Sequence, residues 1–156
     1  MHPTTHAEVA VLVLNWNGRS LLETFLPSWV QHTPAGADLI IVDNGSTDDS
    51  VAFVREHYPE VHLHLFTENH GFAAGYNKAI AELDYKIVVL LNSDVELTAG
   101  WLDEPLRLLD SDSTIAAVQP TIRAQRDPKS FEYAGAAGGF IDSLGYPFCR
   151  GRLFGT

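Results

Sequence analysis

The sequence predicts an α/β fold in which helices alternate with the strands of a mostly parallel sheet. Three observations carry that prediction. Four apolar runs, Val9–Leu14, Leu39–Val42, Val61–Phe66 and Ile87–Leu91, are each followed by a polar, turn-forming segment. Those segments are Asn15-Trp16-Asn17-Gly18, Asp43-Asn44-Gly45-Ser46, Glu68-Asn69-His70-Gly71 and Asn92-Ser93-Asp94. Helix-like stretches follow the turns, and strands alternating with helical patterns point to βαβ units. In a parallel sheet all carboxyl ends face one way, so the four turns should gather at the rim where open α/β sheets bind ligands.

Taken in order, Val9–Leu14 is apolar on both faces, as a central parallel strand requires. Leu21, Leu22, Phe25, Leu26 and Trp29 then recur at helical spacing, so Ser20 to Gln31 reads as an amphipathic helix. Pro27 inside it should kink or shorten it. Leu39–Val42 is the second strand. Ser46-Thr47-Asp48-Asp49 has the composition of a helix start, with Ser46 as the cap and the two aspartates at the positive helix end. Val51, Phe53, Val54 and Tyr58 carry that helix to Pro59. Val61–Phe66 interleaves His62 and His64 and should be an edge or half-exposed strand. Those histidines share a face and could hold a metal, or could simply be solvated strand positions. Gly71 to Leu83 is a helix, Lys86–Leu91 a strongly buried strand, Trp101 to Leu109 a helix and Ile115–Thr121 a further strand. Arg126-Asp127-Pro128-Lys129 reads as a turn, and Glu132 to Gly151, rich in glycine and aromatics, as loops and short strands.

The 156 residues fit one domain, residues 1–156, with a core over 8–121 and an incomplete Gly-rich part over 122–156. A domain of this size buries roughly 68–70% of its extended-chain surface. Hydrophobic residues make up 46% and charged residues 19%, a globular composition. The net charge of -10 argues against nonspecific binding to nucleic acid or anionic lipid. Cys149 is the single cysteine, which excludes an intrachain disulfide and a thiolate zinc cluster; a half-buried apolar role suits it. The longest apolar run is far short of the roughly 18 residues of a membrane helix. No basic segment precedes a long apolar one near Met1, so a cytoplasmic location is expected.

The chemistry-bearing residues sit in the turns. Residues i and i+2 of an extended chain point to one side, so Asn92 and Asp94, with Ser93 between them, could face one ligand. A carboxylate and a carbonyl oxygen there suit Mg2+ or Mn2+, which share oxygen ligands with substrate phosphates. The alternative is a strand-end turn that caps the next helix. Asp43 has a similar place and could accept from a base N–H or a ribose hydroxyl, or could close an Asx turn with Gly45 at positive φ. Gly71 and Gly75 at a helix start would let a ligand approach the backbone, or let helices pack closely.

In this order the four turns resemble the family 2 glycosyltransferases, inverting enzymes of the GT-A fold. The matching stretches are Val13-Leu14-Asn15-Trp16-Asn17, Ile41-Val42-Asp43-Asn44-Gly45-Ser46-Thr47-Asp48, Asn69-His70-Gly71-Phe72-Ala73-Ala74-Gly75-Tyr76-Asn77 and Leu90-Leu91-Asn92-Ser93-Asp94. They run from about Val9 to Pro120 and look most like the rhamnosyltransferase-like branch of cell-surface polysaccharide enzymes. The resemblance implies a Rossmann-like three-layer sandwich with a mostly parallel sheet, here C-terminally truncated. It implies a nucleoside-diphosphate-sugar donor, and a glycan or lipid-linked acceptor whose hydroxyl displaces the diphosphate with inversion. Asp43 would hold the nucleobase, with Asn15 and Asn17 lining the same pocket. Asn69, Gly71, Gly75 and Asn77 would border the donor, and Asp94 would ligate Mg2+ or Mn2+. Asn92 departs from the family's DXD motif, whose first aspartate it replaces.

The family's general base lies in an acidic motif after a Gly-rich stretch, and no such motif occurs before Thr156. Asp142 is the only carboxylate between Gly135 and Gly145 and is the one candidate base within the chain. The expectation is a donor-binding part of a longer enzyme, inactive in transfer by itself. The longer protein could sit peripherally at the inner membrane face. The other function class is a nucleotide-binding module without transfer activity. Phe140, Tyr146, Phe148 and Phe154 are expected to be disordered or to support self-association.

Overall fold

A computed structural model describes residues 8–132 and 137–150. Gly135 and Phe154 lie outside the described residues. The chain divides into two compact units at Ala99/Gly100.

The first unit carries the sheet. Strands β1 (Val9–Asn15), β2 (Ala37–Asn44), β3 (His62–Phe66) and β4 (Ile87–Leu91) are all parallel, in the order β3-β2-β1-β4. Helices α1 (Arg19–His32), α2 (Ser50–His57) and α3 (Phe72–Glu82) connect them. The chain steps outward from β1 to β2 to β3, then returns across the sheet to β4. Right-handed crossovers put α1 and α2 on one face and α3 on the other. Side-chain parity agrees. Ala10, Leu12, Ile40 and Val42 form a core cluster with Tyr76 and Ala79 of α3. The alternate positions Val11, Val13, Leu39 and Ile41 are buried too, as are Leu22, Leu26 and Trp29 of α1 and Phe53 and Val54 of α2. The predicted α/β class, with a parallel sheet between two helical layers, is what the chain adopts.

Several elements differ from the sequence reading. α1 runs through Pro27 to His32, because its buried face of Leu22, Phe25, Leu26 and Trp29 outweighs one missing donor. Ser46 does not cap α2. That helix begins at Ser50, and the Ser46 hydroxyl accepts instead from the amide of Asn17 (2.9 Å) and the side chain of Asn15 (3.2 Å). β3 is an edge strand as expected, and its histidines turn to acids: His62 lies 4.0 Å from Asp38 and His64 lies 3.0 Å from Glu82. β4 is less buried than its composition suggests. It is the other edge, and only Leu91 is fully enclosed.

The second unit contains α4 (Asp103–Ser111) and two hairpins, β5 (Arg123–Ala124) with β6 (Asp127–Phe131) and β7 (Gly139–Ile141) with β8 (Pro147–Cys149). Ile115–Thr121 forms no strand. Ala116, Ala117 and Pro120 give that segment little side chain to pack and one donor fewer. The turn expected over Arg126–Lys129 falls at Gln125-Arg126, and Asp127–Phe131 is strand β6. Pro128 is tolerated there because a two-stranded sheet consists of edges. Cys149 is free and half-buried in β8. Among the described residues no helix is long and apolar enough to cross a membrane.

Candidate functional site

The sheet has its topological switch between β1 and β4, since the connections leave these neighbours in opposite directions. Ligands of open α/β sheets bind in that crevice, outside the carboxyl ends. A cleft of ≈ 430 Å³ lies there. Leu14 and Trp16 follow β1, Asn44 ends β2, Asn69, Gly71, Phe72 and Tyr76 surround the start of α3, and Asn92, Ser93 and Asp94 follow β4. Trp16 and Phe72 are 57% and 66% exposed, so two aromatic faces are available to a flat ligand group.

Behind the rim, the first two turns are stitched together. β1 and β2 pair with Asn15 opposite Asp43, and both side chains are buried. Asn15 Nδ2 donates to Asp43 Oδ1 at 2.9 Å, and the amide of Ser46 donates to Asp43 Oδ2 at 3.0 Å. Asn17 adopts a left-handed conformation, φ 50°, which asparagine tolerates better than most residues. Its Oδ1 accepts from the amides of Thr47 (2.7 Å) and Asp48 (3.3 Å). Asp48 joins two helix starts, accepting from the amide of Arg19 at 3.1 Å and from that of Ser50 at 3.1 Å. Burial alone would raise its pKa; the Ser50 side chain and the amides of Ser50 and Arg19 outweigh that and hold it below the ordinary carboxylate value.

The structure thus brings Asn15, Asn17 and Asp43 together as a hydrogen-bonded platform. Asp43 itself does not line the cleft. The residue that does is its neighbour Asn44, which the sequence reading passed over. Successive strand residues face opposite ways, so the parity that turns Asp43 toward Asn15 turns Asn44 toward α3. Asn44 Nδ2 donates to Asn69 Oδ1 (2.9 Å) and to the Gly71 carbonyl (3.1 Å), and its Oδ1 accepts from the amide of His70 (2.9 Å). Asn69 and Gly71 are thereby fixed at the cleft. Gly71 has φ +79°, a conformation other residues rarely hold. Gly75 is buried beneath the rim: a Cβ there would lie 3.0 Å from Leu14 Cδ1 and 3.2 Å from Asn44 Nδ2. It lets α3 approach the strand ends. Asn77 is exposed on α3 and outside the cleft lining.

Tyr76 lies in the third matching stretch, where nothing in the sequence marks it for a role. It is 3% exposed and reaches the crevice from below. Its hydroxyl donates to the Leu91 carbonyl at 2.9 Å and accepts from the amide of Leu14 at 3.3 Å. Burial, the larger influence, pushes the phenol's pKa up against the opposing effect of the Leu14 amide, so the hydroxyl keeps its proton.

Asn92 and Asp94 are exposed, Ser93 half-exposed, and among the described residues Asp94 is the one carboxylate lining the cleft. Among the described residues no three His, Cys, Asp or Glu side chains gather into a metal cluster. Mg2+ and Mn2+ do not need one: they take one or two carboxylates and complete their shell with water and substrate phosphates. The hard oxygens of Asp94, Asn92 and Ser93 around an open cleft fit that mode. Asp142 lies in the β7–β8 turn, where its Oδ1 accepts from the amides of Leu144 and Tyr146, each at 2.9 Å.

Comparison with known proteins gives consistent results. The N-acetylglucosaminyl-diphospho-decaprenol L-rhamnosyltransferase of Mycobacterium tuberculosis is 28% identical over 137 residues, 81% of this chain and 44% of that protein. The chain therefore spans under half the length of this curated relative. The mannosyltransferase PcManGT from Pyrobaculum calidifontis, solved in complex with GDP-Man and Mn2+, superposes with a TM-score of 0.64 at 29% identity. The match covers 81% of this chain and 39% of that one. TarS 1-349 of S. aureus in complex with UDP-GlcNAc shares the fold, with a TM-score of 0.57 at 20% identity over 67% of this chain and 31% of that one. Residues 10–152, nearly the whole chain, match the family described as Glycosyl transferase family 2, and to that family the chain belongs.

Proposed function

We propose that this chain is the donor-binding part of a glycosyltransferase that moves a sugar from a nucleoside diphosphate to an acceptor hydroxyl, with inversion, in cell-surface polysaccharide synthesis. The observation that carries this reading is the cleft at the β1/β4 switch, whose lining combines the exposed aromatic faces of Trp16 and Phe72 with the carboxylate of Asp94. The nucleobase stacks on the aromatic side. The buried Asn15–Asp43–Ser46 platform keeps that side in shape, and Asn44, Asn69 and Gly71 border the donor. Asp94, with Asn92 and Ser93 beside it, holds Mg2+ or Mn2+. The ion, when bound, supplies positive charge that stabilises the departing diphosphate. Asn92 lowers the negative charge of the lip by one relative to the DXD pattern, so the ion depends more on the diphosphate oxygens.

The acceptor hydroxyl needs a base, a contribution of about 10²–10⁴ in rate. Asp94 is committed to the metal, and Asp142 is tied to its own turn by two amides. We therefore assign the base to sequence outside these residues, and assign donor binding without useful transfer to this chain. The acceptor is a glycan or lipid-linked sugar, met at the inner membrane face by a cytoplasmic enzyme. The exposed hairpin residues Phe140, Tyr146 and Phe148 support contact between copies.

The test is calorimetry with uridine, guanosine and thymidine diphosphates, each with and without Mn2+. At least one nucleotide is expected to bind, and more tightly with the metal. A ligand at about 100 times its dissociation constant adds roughly 2.7 kcal/mol of stability, readily visible in a melting curve. No binding of any nucleotide at millimolar concentration with Mn2+ overturns the proposal.

A further inference from the structure

The Asn92-Ser93-Asp94 turn has an unusual support. It leaves β4, an edge strand, so only β1 flanks it within the sheet. No regular element holds the chain from Asn92 to Thr98. The turn is instead fastened at both ends by side chains from helices on opposite faces. Before it, the Tyr76 hydroxyl of α3 binds the Leu91 carbonyl at 2.9 Å, at the last β1–β4 pair, Val13 with Leu91. After it, the Trp29 indole N–H of α1 donates to the Val95 carbonyl at 2.6 Å, and the amide of Leu97 donates to Ser28 Oγ at 3.2 Å. Tyr76 does more than hold one end. By also accepting from the Leu14 amide it ties the rim after β1, which carries Trp16, to the rim after β4, which carries Asp94.

We propose that Tyr76 is a positioning residue, which with Ser28 and Trp29 sets the place of Asp94 relative to the Trp16 side of the cleft. This rests on the donor-site reading above and deepens it. The phenol touches neither Asp94 nor the proposed ion; it acts through the Leu91 and Leu14 backbone. The geometry matters because a diphosphate bridging base pocket and metal must span a fixed distance, and a misplacement of about 1 Å can cost about 10²-fold. The pinning is constant across ordinary pH, since the buried phenol stays protonated.

Tyr76→Phe keeps the ring in its core cluster and removes only the hydroxyl. The experiment measures the dissociation constants of uridine and guanosine diphosphate with and without Mn2+, and the ratio between them. The wild-type ratio is expected to fall about three- to tenfold in Y76F, the equivalent of one net hydrogen bond. Binding without metal should move less than twofold. Ser28→Ala, which removes the acceptor of the Leu97 amide, should lower the same ratio by a smaller factor, and it decides the matter if Y76F does not fold. A drop in melting temperature with an unchanged ratio means a merely structural hydroxyl and overturns the proposal. So does equal weakening with and without metal. If the wild type binds no nucleotide at all, it is the donor-site reading that falls.

Discussion

Gly45→Ala should be among the most damaging single-methyl additions in this chain, and its cost can be worked from the geometry. Gly45 follows β2 with φ +73°. An alanine there pays about 1–2 kcal/mol for the left-handed conformation. A Cβ would also sit 2.6 Å from the carbonyl carbon of Glu68, 2.7 Å from its Cα and 3.0 Å from the amide nitrogen of Asn69. All three are backbone atoms, so no side chain can swing aside, and overpacking of this kind costs about 1–3 kcal/mol more. The sum, about 2–5 kcal/mol, is a large part of a typical total of roughly 5–15 kcal/mol. With a urea slope of about 1–3 kcal/mol/M, the midpoint should fall by about 2 M, within bounds of roughly 0.7 and 5 M.

Gly71→Ala is the control. Gly71 has φ +79° but nothing within 4 Å of its would-be Cβ, so it meets the conformational cost alone. With ψ -178°, Gly71 occupies a region that is essentially glycine-only, so G71A carries a backbone cost of about 1–3 kcal/mol, whereas G45A adds to its own backbone cost the contact with the 68–69 backbone. That contact is also functional, because pushing Glu68 and Asn69 outward pulls Asn69 and His70 away from Asn44, and nucleotide affinity should fall with stability. Equal midpoints for G45A and G71A, or a G45A midpoint within error of wild type, would refute the reasoning.

Three further outcomes are expected. Asp94→Ala should abolish the Mn2+ dependence of diphosphate binding while leaving the urea midpoint almost unmoved, as calorimetry and a denaturation curve would show. Asp43→Ala should lower stability by about 1–3 kcal/mol, because the Asn15 amide and the Ser46 N–H lose their buried acceptor; nucleotide binding should weaken with and without metal alike. Asp48→Asn should cost about 1 kcal/mol near neutral pH, because one of the two accepting oxygens becomes an NH2 group and the amide of Arg19 or Ser50 loses its acceptor. Because the folded pKa of Asp48 lies below its unfolded value of 3.8, its contribution is present above that value and fades as pH falls through the folded one. The gap between wild type and D48N in midpoint should therefore close in acid, and a gap constant down to pH 2 would contradict the assignment.

The strand-then-turn rhythm made the sheet and its rim readable from residues alone, since β-branched runs ending in Asn, Asp and Gly have few other uses. Finer placement depended on parity and on long-range bonds. Asp43 and Asn44 look interchangeable in a turn; only the β1–β2 register decides that Asn15 takes the first and α3 the second. Strand alternation alone could have raised Asn44 as a candidate. Ser46 looked like a cap because its composition suits one, but a competing partner 29 residues away, the Asn17 amide, claims its hydroxyl. Tyr76 was hidden among small residues at a helix start, and its partners Leu14 and Leu91 are distant in sequence. Ile115–Thr121 failed for a different reason: alanines and a proline satisfied an apolar pattern without the bulk that holds a strand.

A single carboxylate, Asp48, receives the first amides of both α1 and α2. Two helix beginnings that share one carboxylate, each on its own oxygen, lose their acceptors together whenever that side chain rotates away. When Asp48 swings out, the leading amides of both helices meet water at once, so their exchange with deuterium should follow one opening event and one rate. The two helices, separated in sequence by the whole of β2, would behave as one cooperative layer under the face of the sheet that they cover. Slow, common exchange at Arg19 and Ser50, quickened together by D48N, would be the mark of that shared hinge.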